Sequence, residues 1–229
     1  MIYAANFKTN HTRQSTREYV EALTQKVVNA ASREKIYLFP PATALDRFET
    51  PVTIGAQNAY PTRNGAYTGE IGLEQLDEFG IETILIGHSE RREILHESQE
   101  SVAAKFSFFK EQGFEIIYCI GEALEVREQG DEAVIQYLLA QFEGIDTSYE
   151  KLIVAYEPIW AIGTGRSATV EEIASTHRAL RESVKRPLLY GGSAKPANIR
   201  EIIAIENVDG VLVGSASLDP ESFFAMISA

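Results

Sequence analysis

At 229 residues and 45% hydrophobic composition, the chain has enough apolar side chain for one large α/β domain or two small ones. Its formal net charge of −12 disfavours nucleic acid and anionic lipid as partners, and it requires any anionic ligand to be held by local donors. No apolar run approaches the ~18 residues of a membrane span, the amino terminus carries no export pattern, and a single cysteine, Cys119, suits a reducing cytoplasm.

Along the chain, short apolar runs alternate with amphipathic stretches. The runs at 2–5, 36–39, 52–56, 83–86, 116–119, 152–155, 188–190 and 210–213 read as buried strands. Between and after them, 16–29, 99–112, 131–142, 170–184, 196–204 and 219–227 carry helical periodicity. Alternation of this kind implies parallel strands joined by crossover helices. Eight units in 229 residues leave about 29 residues each, which fits an α/β (β/α)8 barrel with short loops. A doubly wound open sheet is the alternative. With no linker or composition break, residues 1–229 read as a single domain.

Polar residues collect just beyond the strand ends. Asn6 and Lys8 follow the first run two residues apart and so share a side. Gln57 follows the third run and begins a stretch to Glu70, about 14 residues, long enough to suggest a task. His88 stands where the fourth strand turns toward a short helix, whose positive end would disfavour an imidazolium. After the sixth run comes Glu157, a candidate general base whose pKa an apolar setting would raise. The segment after it, Pro158-Ile159-Trp160-Ala161-Ile162-Gly163-Thr164-Gly165-Arg166-Ser167-Ala168, reads as an apolar lid with glycines that let the backbone approach an anion. Ser193 and Gly214 end the last two strands. Ligands of a barrel bind at this carboxyl face, so the convergence points to one site. The four histidines and one cysteine show no metal-ligand spacing, and nothing calls for a metal or cofactor.

Tyr156 to Gly165, YEPIWAIGTG, resembles the catalytic segment of the triosephosphate isomerase family. Asn6-Phe7-Lys8, Gly65-Ala66-Tyr67-Thr68-Gly69-Glu70, Gly87-His88-Ser89-Glu90-Arg91, Cys119-Ile120-Gly121-Glu122 and Tyr190-Gly191-Gly192-Ser193 resemble further motifs of that family, in its order and across the whole chain. The resemblance implies interconversion of dihydroxyacetone phosphate and D-glyceraldehyde 3-phosphate through an enediolate, without a cofactor, in glycolysis and gluconeogenesis. It assigns Glu157 as base and His88, Lys8 and Asn6 as partners in catalysis and substrate binding, with Ile162 and Leu212 closing on the carboxylate. It gives the phosphate to the Gly163, Ser193, Gly214 and Ser215 region, although Ser215 stands where the family usually has a second glycine. The hinge Arg166-Ser167-Ala168 also departs from the commoner lysine-bearing one. Glu90 is left as either the ion-pair partner of Lys8 or a proton relay, and Cys119 and Glu122 as a packed thiol and a structural acid. The resemblance further implies a homodimer in which Tyr67 and Thr68 dock into a second subunit, beside its Asn6 and His88.

Overall fold

The computed structural model describes residues 1–162 and 166–229. Each apolar run becomes a parallel strand: β1 (Ile2–Asn6), β2 (Lys35–Phe39), β3 (Thr53–Ile54), β4 (Thr83–Ile86), β5 (Glu115–Ile120), β6 (Leu152–Tyr156), β7 (Leu188–Tyr190) and β8 (Gly210–Val213). The order β3-β2-β1-β8-β7-β6-β5-β4 wraps the strands round. The seam closes through a bridge between Ala56 and Ile84, with the Leu85 amide donating to Ala56 O at 2.9 Å. The result is the (β/α)8 barrel expected from the alternation.

Among the described residues the helices are α1 (Arg13–Asn29), α2 (Leu73–Phe79), α3 (Ser89–Glu93), α4 (Gln99–Glu111), α5 (Leu124–Arg127), α6 (Asp131–Ala140), α7 (Val170–Ser183), α8 (Ile199–Ile203) and α9 (Pro220–Ile227). Caps set several boundaries. The Thr12 hydroxyl accepts the Ser15 amide and starts α1 three residues before the expected position. Thr169 and Glu172 form a reciprocal cap on α7. Helix α8 is shorter than the expected 196–204, because the Asn198 side chain accepts the Lys195 amide and holds that stretch in a turn. The strand expected at 52–56 shrinks to two residues, since Ala56 turns away to make the seam. None of these helices is long and apolar enough to cross a membrane.

Strand residues alternate between two apolar layers, as period two requires. Ile2, Ala4, Tyr37, Phe39, Leu85, Ile117, Cys119, Ile153, Ala155, Leu189 and Leu212 fill the barrel interior. Tyr3, Ala5, Leu38, Ile84, Ile116, Val154 and Val211 pack outward against the helices.

Candidate active site

The inward register continues past the strand ends, and this assembles the site. Ile153 and Ala155 face the barrel interior, so Glu157, two residues on, also points to the axis, where it is almost fully buried. In the neighbouring strands Cys119 and Leu189 pair with Ala155, which places Gly121 and Gly191 beside Glu157. Both positions are crowded. A Cβ on Gly121 would lie 2.0 Å from the Glu157 carbonyl oxygen, and one on Gly191 would lie 2.9 Å from Glu157 Cγ. The sequence reading named these two glycines only as members of motifs, yet counting two residues beyond Cys119 and Leu189 would have placed them against Glu157.

Glu157 and His88 hold each other. His88 Nε2 lies 2.9 Å from Glu157 Oε1, and the Ser89 amide donates to Oε2 at 2.9 Å. On its other side His88 Nδ1 accepts the Glu90 amide at 3.3 Å, so His88 is both the cap of α3 and a donor through Nε2. Burial disfavours an imidazolium, but the Glu157 carboxylate outweighs it and raises the His88 pKa while the two touch. In the neutral ring the proton sits on Nε2 toward Glu157 and Nδ1 accepts the Glu90 amide, while the Glu90 carboxylate also stands 3.6 Å from Nδ1. For Glu157 the expected rise is overturned. Burial does push its pKa up, but the His88 charge and hydrogen bond, the Ser89 amide and Lys8 together bring it below the usual carboxylate range. These lowering contacts come from the turn that leads from β4 into α3 and from the loop after β1, far away in sequence.

Lys8 has a left-handed backbone, φ 52°, unusual for a residue with a side chain. Its amide donates to Asn6 Oδ1 at 3.0 Å, and its carbonyl accepts Gln57 Nε2 at 2.8 Å. Gln57 is therefore a brace for the Lys8 loop. Lys8 Nζ pairs with Glu90 Oε1 at 2.6 Å, so Glu90 stands here as its ion-pair partner. A cavity of about 250 Å³ opens between these groups, lined by Asn6, Lys8, His88, Glu157, Ile162, Ser193, Leu212, Gly214 and Ser215. After β8, Ser215–Ser217 forms a 3-10 turn, and among the described residues neither Ser215 nor Ala216 donates its amide to a protein acceptor. Ser215 is not among the residues with positive φ, so a serine serves there without strain.

The triosephosphate isomerase family model matches residues 1–229. The chain is 71% identical over 229 residues to triosephosphate isomerase of a Sulfurovum species, covering all of both chains. It is 58% identical to that of Wolinella succinogenes over 229 residues, 99% of each chain. With the enzyme of a Nitratiruptor species the identity is 56% over 230 residues, 99% of this chain and 97% of the relative. This chain belongs to the triosephosphate isomerase family.

Among the described residues of the segment after Glu157, Ile162 is the one that lines the cavity. Ile159–Ala161 forms a 3-10 turn behind Pro158. The expected anion contacts of Gly163, Thr164 and Gly165 lie outside the described residues; beyond them Arg166 and Ser167 are exposed and Ala168 is half-buried. Glu122, fully buried, anchors the start of the segment: its Oε1 accepts Trp160 Nε1 at 2.9 Å, Tyr156 Oη at 3.0 Å and Arg127 Nη2 at 2.7 Å. Cys119 is buried in the barrel interior, and burial first, then the Glu157 charge, push its thiol well above the ordinary range. Tyr67 and Thr68 lie on the exposed loop, away from this cavity, with the Tyr60 and Tyr67 rings 4.3 Å apart. Among the described residues no group of three or more His, Cys, Asp or Glu is placed to hold a metal.

Two further groups support the site and escaped the sequence reading. The Gln141 side chain takes both polar groups of Gly121: its Nε2 donates to Gly121 O at 2.7 Å, and its Oε1 accepts the Gly121 amide at 3.1 Å. Arg92 Nε donates to Gly87 O at 2.8 Å, holding the turn that leads into His88. Gln141 has no local sequence signal, because its partner is defined by the packing of segments 20 residues apart, whereas Arg92 reaches back only five residues to Gly87.

Proposed function

We propose that this chain interconverts dihydroxyacetone phosphate and D-glyceraldehyde 3-phosphate by proton transfer through an enediolate, without a cofactor, in glycolysis and gluconeogenesis. The observation that carries the reading is the buried Glu157 carboxylate facing, with His88 and Lys8, one cavity at the carboxyl end of the barrel. Residues 1–229 act as one domain, in the cytoplasm.

In the structure Glu157 rests on His88 and the Ser89 amide. To act, it leaves both and takes a proton from the carbon beside the substrate carbonyl. The C–H electron pair becomes the C=C bond of the enediolate, and the carbonyl electrons move to oxygen. His88, released from Glu157, donates its Nε2–H to that oxygen, and Lys8 supplies positive charge beside it. Glu157 then gives the proton to the neighbouring carbon, which takes it with the C=C electron pair, while the hydroxyl on the first carbon returns a proton to His88 Nε2 and its O–H electron pair forms the new C=O bond. Departure from His88 and Ser89 also removes the contacts that lower the Glu157 pKa, leaving burial to raise it, so the carboxylate becomes a stronger base where it is needed.

Phosphate is assigned to the amides of Ser193 and Ser215 with Lys8, and Gly163 joins this set. Exposed turn amides hold an anion without net positive charge, which reconciles a phosphorylated substrate with a −12 chain. Closure of the 158–168 lid, with Ile162 and Leu212 against the carboxylate, excludes water and protects the enediolate from losing phosphate.

The active form is a homodimer. Ile94 and Leu95 are 68% and 60% exposed, and they line a second cavity of about 400 Å³ that reaches Lys8 and His88. An apolar exposed rim beside catalytic groups suits the Tyr67–Thr68 loop of a second copy, and a twofold axis buries two such loops together. The test of the activity is a coupled assay with each triose phosphate in turn. Conversion in both directions supports the reading, and a folded chain that converts neither overturns it.

A further inference from the structure

His11 lies outside the groups given a role above, yet its backbone is left-handed at φ 69°, a conformation that side-chain-bearing residues rarely adopt. Its ring contacts identify what this conformation achieves. The imidazole lies 4.7 Å from the Phe7 ring and 5.6 Å from the Tyr19 ring, centroid to centroid. Nε2 is 3.0 Å from Leu218 O and Nδ1 is 3.1 Å from Ser15 Oγ. A carbonyl only accepts, so Nε2 carries the proton and Nδ1 accepts from the Ser15 hydroxyl, which itself takes the Thr12 amide at 2.9 Å.

Leu218 closes the 3-10 turn whose first residue, Ser215, faces the cavity. The last carbonyls of a helical turn have no partner within it and need outside donors. Among the described residues they have three: Ser222 Oγ donates to Ala216 O at 2.8 Å, Tyr19 Oη donates to Ser217 O at 2.7 Å, and His11 alone donates to Leu218 O, the last of them. Holding the far end of so short a turn fixes the direction of its first amides. Lys8, by contrast, is secured by Asn6 and Gln57 independently of His11.

We infer that His11 is a positioning residue for phosphate binding, tying the loop after β1 to the turn after β8 so that the Ser215 and Ala216 amides point into the cavity. The inference rests on the proposed function for the identity of the bound group. Because Lys8, His88 and Glu157 keep their own supports, loss of His11 weakens substrate binding more than the chemical step.

The test uses the full chain and the variants His11→Asn and His11→Gly. Asparagine accepts left-handed backbone but is too short to reach Leu218, and glycine relieves the backbone while removing the ring, which covers failure of the first variant to fold. Calorimetric titration with 2-phosphoglycolate reads binding without turnover, the isomerase assay gives KM and kcat, and amide exchange of the free protein reads order at 215–218. Kd and KM should rise about three- to tenfold, the effect of one ordinary hydrogen bond, with kcat falling less than about twofold and exchange at 215–218 accelerating. Unchanged Kd and exchange overturn the inference, as does a kcat loss equal to the rise in Kd. A wild-type chain that binds 2-phosphoglycolate but isomerises neither triose phosphate contradicts the proposed function alone, and the His11 inference is then decided by Kd and exchange. Absence of 2-phosphoglycolate binding by the wild-type chain overturns both.

Discussion

Replacing Gly121 by alanine adds one methyl group directly against the backbone of the proposed base. That carbon would start 2.0 Å from the Glu157 carbonyl oxygen, whereas ordinary contact begins at 3.4 Å, so the two segments must part by roughly 1.4 Å. Neither can move freely. Gln141 pins Gly121 through both of its polar groups, and the Glu157 amide donates to Ile120 O at 2.7 Å. The displacement therefore falls largely on Glu157, and a misplacement of about 1 Å at a reacting group costs on the order of 100-fold in rate. Overpacking of this kind also lowers stability by about 1–3 kcal/mol, which leaves the chain folded. Initial rates at saturating D-glyceraldehyde 3-phosphate should fall about 100-fold in Gly121→Ala, with a cooperative but lower thermal transition. Gly191→Ala should also lose activity, because a Cβ there would lie 2.9 Å from Glu157 Cγ, the carbon that carries the proposed base, and 3.1 Å from the Tyr156 carbonyl oxygen. A folded Gly121→Ala variant with a wild-type kcat would refute the argument that the backbone at Glu157 must stay where it is.

The buried His177 gives stability a pH dependence. Burial above all, and Arg181 to a lesser degree, hold its pKa down to about 4 from 6.5, so the unfolded chain gains a proton before the folded one does. Its contribution, roughly 3 kcal/mol, is complete above pH 6.5 and is lost as pH falls toward 4. Urea denaturation of wild type and His177→Gln across that range should show a shallower loss in the variant, and parallel curves would contradict the assignment. The proposed homodimer predicts that Thr68→Glu, or shortening of 59–67, yields monomers with much less activity per chain. Sedimentation and activity measured on one sample check this, and a fully active monomer rules the requirement out.

Most of the barrel was legible because its strands are buried on both faces and so appear as unbroken apolar runs. The third strand was overread: 52–56 has a strand-like pattern throughout, but Ala56 is used for the seam with Ile84, a contact that no local pattern reveals. Helix α2 was overlooked because it is seven residues long, starts after Gly72, and depends on the Gln75 side chain accepting the Gly72 amide. The candidate site residues were readable as polar groups just past strand ends, where period two turns them inward. Their electrostatics were not readable. Sequence shows that Glu157 follows an apolar strand, and burial alone would raise its pKa, but the Ser89 amide and His88 that reverse the direction arrive from 68 and 69 residues away by count of residue numbers. The same holds for Gln141, whose role is defined by Gly121 across two helices, α5 and α6.

Glu157→Gln tests the central claim most directly, since glutamine keeps the size of the side chain and an oxygen for the Ser89 amide but cannot accept the substrate proton. With the far-ultraviolet spectrum and cooperative unfolding retained, isomerisation of D-glyceraldehyde 3-phosphate should fall by at least the ~10²–10⁴-fold characteristic of a lost general base. A folded Glu157→Gln protein that turns over at the wild-type rate would contradict it.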